Sequence, residues 1–172
     1  MLRRKNSALV KALILAPYLI ILYILQSTIF THIQLLGVKP LILPVAAAGI
    51  SLFCGRAEGG VFGLFAGILM DLSYNQLTVQ FTLLLTFLGI LTGLLSDTVL
   101  VQGFPSFLLS CLLELVLISV YQVLSASVLQ GAPMGAAAGV GLRQTLYSLL
   151  FALPVYYFSR FYCRVTRQGR GL

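Results

Sequence analysis

Few side chains in this sequence could do chemistry, and the most unusual of them is an acid inside an apolar run. Glu114 lies about nine residues into that run, which at roughly 1.5 Å per residue would place it near the middle of a membrane. An ionisable group at that depth requires a partner or water, so it marks a candidate functional site. Three more polar residues fall within about 60° of it on a helix, giving the polar stripe Ser110, Glu114, Tyr121 and Ser125.

Three interpretations of the polar stripe stay open. In the first, a protonated Glu114 is hydrogen-bonded inside a helix bundle and has a structural role. In the second, the stripe contacts a ligand or a partner protein. In the third, Glu114 takes part in a proton-coupled step, which is another common use of an acid within a membrane.

A second acid, Asp71, ends a run of evenly spaced glycines, "EGGVFGLFAGILMD", residues 58–71. Gly59, Gly63 and Gly67 are four residues apart, so they share one slowly drifting face of a helix. Small residues at this spacing let a second helix approach closely. We expect a contact inside the chain's own bundle, with a partner protein or a ligand cavity as alternatives. Asp71 is expected near the outer end, hydrated or accepting N–H bonds from the following "LSYNQ".

No arrangement typical of an enzyme accompanies these acids. The sequence contains no nucleophile–base constellation, phosphate-binding loop or metal-ligand spacing, so we predict no catalytic residues, cofactor or metal. Cys54, Cys111 and Cys163 are expected to be inert free thiols. A small membrane enzyme that uses Glu114 or Asp71 as an acid or base remains a minor alternative.

The composition indicates a membrane protein. The chain has 172 residues, of which 59% are hydrophobic and 9% are charged, and its mean hydropathy is +1.02. Soluble domains usually have about a quarter of their residues charged, so this chain has too little polar surface to face water. We predict an all-α polytopic helix bundle that forms a single integral membrane domain over residues 1–172.

Apolar runs separated by Gly, Pro and polar residues predict about six transmembrane helices. The second and third are short and form a tight hairpin whose complete crossing the sequence leaves open. The run "GAPMGAAAGVG", residues 131–141, is expected to be a loop before the last span. The predicted spans cover about residues 12–31, 40–55, 58–72, 78–96, 105–129 and 142–161.

The basic residues predict the orientation of the bundle. With six spans and both termini in the cytoplasm, nine of the eleven Lys and Arg residues lie inside, and only Lys39 and Arg143 lie outside. This distribution follows the positive-inside rule. The net charge of +7 is concentrated at the chain ends, which argues against nucleic acid as a partner. We therefore expect a multi-pass membrane protein with both termini in the cytoplasm.

Several stretches of the sequence resemble the rod shape-determining protein MreD family. After a basic start, "LQSTIF" closes the first span, "KP" opens the second, and "EGGVFGLFAGILMDL" follows. The resemblance covers the whole chain, and its most specific part is the G-x-x-x-G-x-x-x-G-x-x-x-D run that ends at Asp71. Gln26 and Pro40 are supporting marks. After Asp71 the sequence "SYNQLTVQF" departs from the Gly-rich turn of the family, so no role is transferred to residues 73–80.

The resemblance implies a non-enzymatic scaffold or regulator of the cell-elongation machinery in the inner membrane. Such a protein takes part in cell-shape determination and peptidoglycan synthesis. Its implied partners are an MreC-like protein, an MreB-like filament, peptidoglycan synthases and the lipid bilayer. Gly59, Gly63, Gly67 and Asp71 would then provide helix packing or partner contact.

A second hypothesis is the substrate-binding membrane subunit of an energy-coupling-type vitamin transporter. Those subunits are also compact six-span bundles of similar length. In that case the polar stripe of Ser110, Glu114, Tyr121 and Ser125 would face a ligand pocket.

Overall fold

The computed structural model describes residues 14–29, 37–73, 79–98, 103–131 and 133–168, and every regular element in these ranges is a helix. The all-α prediction is therefore confirmed for this part of the chain. Predicted features that lie outside the described residues include both ends of the first span and the basic residues Arg3, Arg4, Lys5, Lys11 and Arg170. The helices are α1 (Ile14–Thr28, with a π-helical last turn at Leu25–Ile29), α2 (Ile42–Cys54), α3 (Arg56–Ser73), α4 (Gln80–Thr98), α5 (Phe104–Gln130), α6 (Met134–Leu150) and α7 (Ala152–Gln168).

Helix α2 lies at the centre of the bundle. Every residue from Ile42 to Phe53 is buried, and α3, α4, α5 and α7 all pack around it. A helix that is apolar all round is expected in such a position. Its middle turn, Ala46–Gly49, is made of small residues, which lets the surrounding helices approach its backbone.

Helices α1 to α6 alternate in direction and α7 continues α6 after a bend, so the helix ends collect at two ends of the bundle. At one end, here called the Cys54 end, the Ser96 hydroxyl of α4 donates to the carbonyl of Leu52 in α2 at 2.6 Å. The start of α5 packs on α7 at the same end, with the Phe104 and Tyr156 rings 5.2 Å apart. The opposite end, here called the Asp71 end, contains the end of α3 and the beginnings of α2 and α4.

The last two helices differ from the predicted last span. Helix α6 begins at Met134, inside the segment expected to be a loop, because Ala136–Ala138 favour a helix once Pro133 has opened it. The helix then breaks at Phe151, and α6 and α7 are bent by 53°. Pro154 explains the break, since its ring has no N–H to donate and would clash with the carbonyl of Leu150 in a continuous helix.

One helix of the described chain is long and apolar enough on its own to cross a membrane. It covers Phe104–Val128 within α5 and has 25 residues with a mean hydropathy of 2.2. Helices α6 and α7 pass the same criterion when they are taken together as a bent pair. Helices α1, α2 and α4 are apolar but shorter.

Helix α3 shows an inverted distribution of polarity. Its buried face carries four glycines and Asp71 beside Phe62, Ala66 and Met70, whereas its other large apolar side chains point outward. The outward residues, Val61, Leu64, Phe65, Ile68 and Leu72, are each between 38% and 67% exposed. Helix α4 repeats this arrangement with buried Thr82 and Thr92 and exposed Leu83 and Phe87. The surface of the bundle is therefore strongly apolar.

Two of the three cysteines are joined, which corrects the prediction of three free thiols. Cys54 at the end of α2 and Cys163 in α7 form a disulfide, with their Cα atoms 5.5 Å apart. Cys111 is free and buried. The pairing left no local sequence signal because the two residues are 109 positions apart and meet only through the packing of α7 alongside α2.

Candidate functional site

Asp71 is a buried acid that stabilises the first turn of α4. It is only 7% exposed, and its Oδ1 accepts the N–H of Phe81 at 2.9 Å. Its Oδ2 accepts the N–H of Thr82 at 2.9 Å and the Thr82 hydroxyl at 2.6 Å. A carboxylate in this position satisfies N–H groups that have no partner within the helix and interacts favourably with the helix dipole. The partners of Asp71 among the described residues are thus in α4, and residues 74–76 of the expected "LSYNQ" segment lie outside the described residues.

The glycine stripe of α3 lies inside the bundle. A Cβ atom at Gly67 would lie 2.7 Å from the carbonyl oxygen of Phe81, and one at Gly63 would lie 2.9 Å from the carbonyl carbon of Leu85. At the other end of the stripe, a Cβ atom at Gly59 would lie 2.7 Å from the Cα of Ser51 in α2. The three glycines therefore let α3 contact α4 and α2 backbone to backbone.

Helix α2 receives its N-terminal capping from two other helices. The side-chain oxygen of Gln26 in α1 accepts the N–H groups of Ile42 at 3.0 Å and Leu43 at 2.9 Å. The hydroxyl of Ser148 in α6 accepts the N–H of Leu41 at 2.8 Å. Sequence reasoning singled out Gln26 only as a mark of the family resemblance, and it missed Ser148, which has no sequence signal for a contact 107 residues away.

Glu114 connects α5 to α4. The residue is fully buried, and its Oε1 accepts the hydroxyl of Thr92 at 2.9 Å. Its Oε2 has no hydrogen-bond partner within the described part of the chain. The sequence identified the acid, but Thr92 was missed because a lone threonine among apolar residues gives no specific signal.

The other members of the polar stripe do not gather around Glu114. The hydroxyl of Ser110 donates to the carbonyl of Ser106 in its own helix at 2.9 Å. The Tyr121 hydroxyl is hydrogen-bonded to the side-chain oxygen of Gln80, toward the Asp71 end. The predicted stripe is therefore divided between an interhelical contact at Glu114 and a separate cavity that Tyr121 and Ser125 line.

Two cavities of the described chain differ in chemistry. The larger, of about 580 Å³, lies between α1 and α3 and is almost entirely apolar, with Leu19, Val61 and Phe65 among its walls. The smaller, of about 330 Å³, is here called the Lys39 cavity. It is lined by Gly37, Val38, Lys39, Phe81, Tyr121, Gln122, Ser125, Ala126, Val140 and Gln144.

The two buried acids of the described chain lie in contacts between helices. No group of three His, Cys, Asp or Glu side chains in this part of the chain could hold a metal ion. Asp71 and Glu114 both act as hydrogen-bond acceptors between helices.

Comparison of the sequence with protein-family models and with curated proteins, and of the structure with solved structures, found no match.

Proposed function

We propose that this chain is an integral membrane protein that crosses a bacterial plasma membrane six times. Helices α1 to α5 would each make one crossing, and α6 and α7 together would make the sixth. The observation that carries this proposal is the outer face of α3, where Leu, Ile, Val and Phe side chains are exposed while Asp71 is buried. Water-soluble proteins rarely expose such continuous apolar surface, whereas a bilayer favours it.

The charges support an orientation with the Cys54 end in the cytoplasm. Arg56, Arg160 and Arg164 lie near this end, while Lys39 and Arg143 belong to the opposite half. This orientation places the Cys54–Cys163 disulfide near the cytoplasmic end of the bundle.

Within the membrane, we propose a non-enzymatic scaffold of the cell-elongation machinery, similar to MreD. Support comes from the residues that carry the sequence resemblance. Gln26 caps α2 and Asp71 caps α4, while Gly63 and Gly67 allow α3 and α4 to pack closely. These residues connect the helices of the bundle. Its outward apolar faces suit contact with the membrane helices of an MreC-like protein and of peptidoglycan synthases. The basic cytoplasmic ends suit anionic lipids and a membrane-proximal MreB-like filament.

Depletion in the native host tests this function. We expect a rod-shaped host to widen and round as the protein is lost, and we expect a tagged copy to capture an MreC-like protein from solubilised membranes. A second copy of the wild-type gene is the matched control and should restore cell width. Unchanged cell width in a rod-shaped host, together with capture of no elongation protein, would refute the proposed function.

A further inference from the structure

The Lys39 cavity is built by four separate parts of the chain. Its walls come from the segment before α2, the start of α4, the second half of α5 and the middle of α6. Its volume of about 330 Å³ is at the lower end of the range for small-molecule sites. It is also roughly ten times the ~30 Å³ that one water molecule occupies in the liquid. The cavity is therefore large enough for a small organic molecule.

Hydrogen bonds between distant residues hold these walls in place. Gln144 in α6 donates from its side-chain nitrogen to the carbonyl of Lys39 at 3.0 Å. Two residues further on, the N–H of Leu41 donates to Ser148, also in α6. On the opposite wall, Tyr121 is hydrogen-bonded to Gln80. A cavity whose walls are fixed in this way loses little conformational freedom when a ligand enters.

The lining combines one positive charge, neutral polar groups and an aromatic wall. Lys39 is its single charged residue, and no acid is among the described residues that line it. Gln122 and Ser125 supply an amide and a hydroxyl. Phe81 and Tyr121 meet edge to face, with ring centroids 6.2 Å apart, and form an angled aromatic corner in the wall. This chemistry suits an anionic group attached to a ring.

We propose that the Lys39 cavity binds a small, water-soluble aromatic carboxylate that enters from the Asp71 end of the bundle. The carboxylate would pair with Lys39, and the ring would pack against Phe81 and Tyr121. The apolar cavity between α1 and α3 has no such combination, since its lining is nearly all apolar. The inference does not depend on a role in cell elongation, because it rests on the cavity alone.

Binding of 1-naphthoate to the purified full-length protein in lipid nanodiscs tests this site. We expect saturable binding by calorimetry, and we expect the uncharged analogue 1-naphthamide to bind at least tenfold more weakly. Lys39→Met should weaken naphthoate binding at least tenfold, since it keeps most of the length of the side chain and removes the charge. Arg143→Met is the matched control, because Arg143 is exposed beside Gln144 but does not line the cavity, and it should change the affinity less than twofold.

Three results would overturn the proposal. The first is the absence of saturable naphthoate binding by a protein with a normal thermal unfolding transition. The second is equal affinity in the wild type and Lys39→Met, or equal weakening by Lys39→Met and Arg143→Met. The third is an anionic phospholipid that co-purifies with the wild type, is lost in Lys39→Met and excludes naphthoate, which would assign the cavity to a lipid headgroup. Cell width is not a readout here, so the outcome is separate from the test of the scaffold function.

Discussion

The carboxylate of Asp71 accepts three hydrogen bonds from the first turn of α4, so its removal should weaken the contact between α3 and α4. Asp71→Ala leaves the N–H groups of Phe81 and Thr82 buried without a partner. We expect a loss of about 2–3 kcal/mol in the free energy of unfolding, measured by denaturant titration in detergent micelles. Asp71→Asn keeps one acceptor oxygen and should lose less.

The matched control for Asp71 is Ser73→Ala. Ser73 lies in the same last turn of α3 but is exposed, so its removal should change stability by less than about 0.5 kcal/mol. Equal stability of Asp71→Ala and Ser73→Ala would show that the cap contributes nothing to the folded state.

Glu114 and Thr92 form a pair whose coupling a double-mutant cycle can measure. Thr92→Val removes the only hydrogen bond that Glu114 makes to the described residues, and it should destabilise the protein. Replacing both partners, in Thr92→Val with Glu114→Leu, should restore much of the loss, since no buried polar group is then left unpaired. Hydrogen bonds between membrane helices are modest, so we expect a coupling energy of roughly 1–2 kcal/mol. Strictly additive effects would show that the two side chains do not interact.

At the scale of the helices, the close approach of α3 and α4 makes Gly67 intolerant of a side chain. The Cβ atom of Gly67→Ala would lie 2.7 Å from the carbonyl oxygen of Phe81, so α4 would have to move. We expect Gly67→Ala to lower the free energy of unfolding by about 1–3 kcal/mol. Gly135→Ala in α6 is the control, because nothing lies within 4 Å of its Cβ position. Ala favours a helix over Gly, so this variant should be as stable as the wild type or slightly more stable.

The sequence predicted which helix faces make contacts, but it did not predict which residues they contact. The spacing of Gly59, Gly63 and Gly67 was sufficient to identify a contact face, because helical periodicity is a local property. The sequence did not predict the N–H groups of Phe81 and Thr82 as partners of Asp71, since the fold of the α3–α4 hairpin decides which N–H groups reach the carboxylate. Likewise, the start of α6 was placed too late because the glycines of residues 131–141 outweighed three consecutive alanines.

Long-range contacts were the part of the candidate site least accessible to sequence reasoning. Ser110, Glu114, Tyr121 and Ser125 share a helical face, yet α5 is 27 residues long and its two halves face different neighbours. The Lys39 cavity joins residues from the segment before α2 to residues of α6, 105 positions apart. Only the tertiary packing brings such residues together, so periodicity along one helix cannot reveal the cavity.

For the molecule as a whole, the proposed six crossings require the α2–α3 hairpin, with α2 at the centre of the bundle, to cross the membrane twice. Helix α2 has 13 residues and is therefore about 20 Å long, which is less than the ~30 Å hydrocarbon thickness. Because neighbouring helices surround it completely, its ends do not have to reach lipid headgroups by themselves. A short buried helix of this kind can still place Arg56 and Lys39, which flank its two ends, on opposite sides of the membrane.

The accessibility of introduced cysteines distinguishes an α2–α3 hairpin that crosses the membrane fully from one that returns to the side from which it entered. In a background of Cys54→Ser, Cys111→Ala and Cys163→Ser, a single cysteine is introduced at one of three exposed positions, Arg56, Arg143 or Arg160. With six crossings, a membrane-impermeant maleimide should label Arg143→Cys in intact cells. It should label Arg56→Cys and Arg160→Cys only after the membrane is opened. If Arg56→Cys stays unlabelled in both conditions while the other two behave as expected, the hairpin ends inside the membrane and the bundle makes four full crossings.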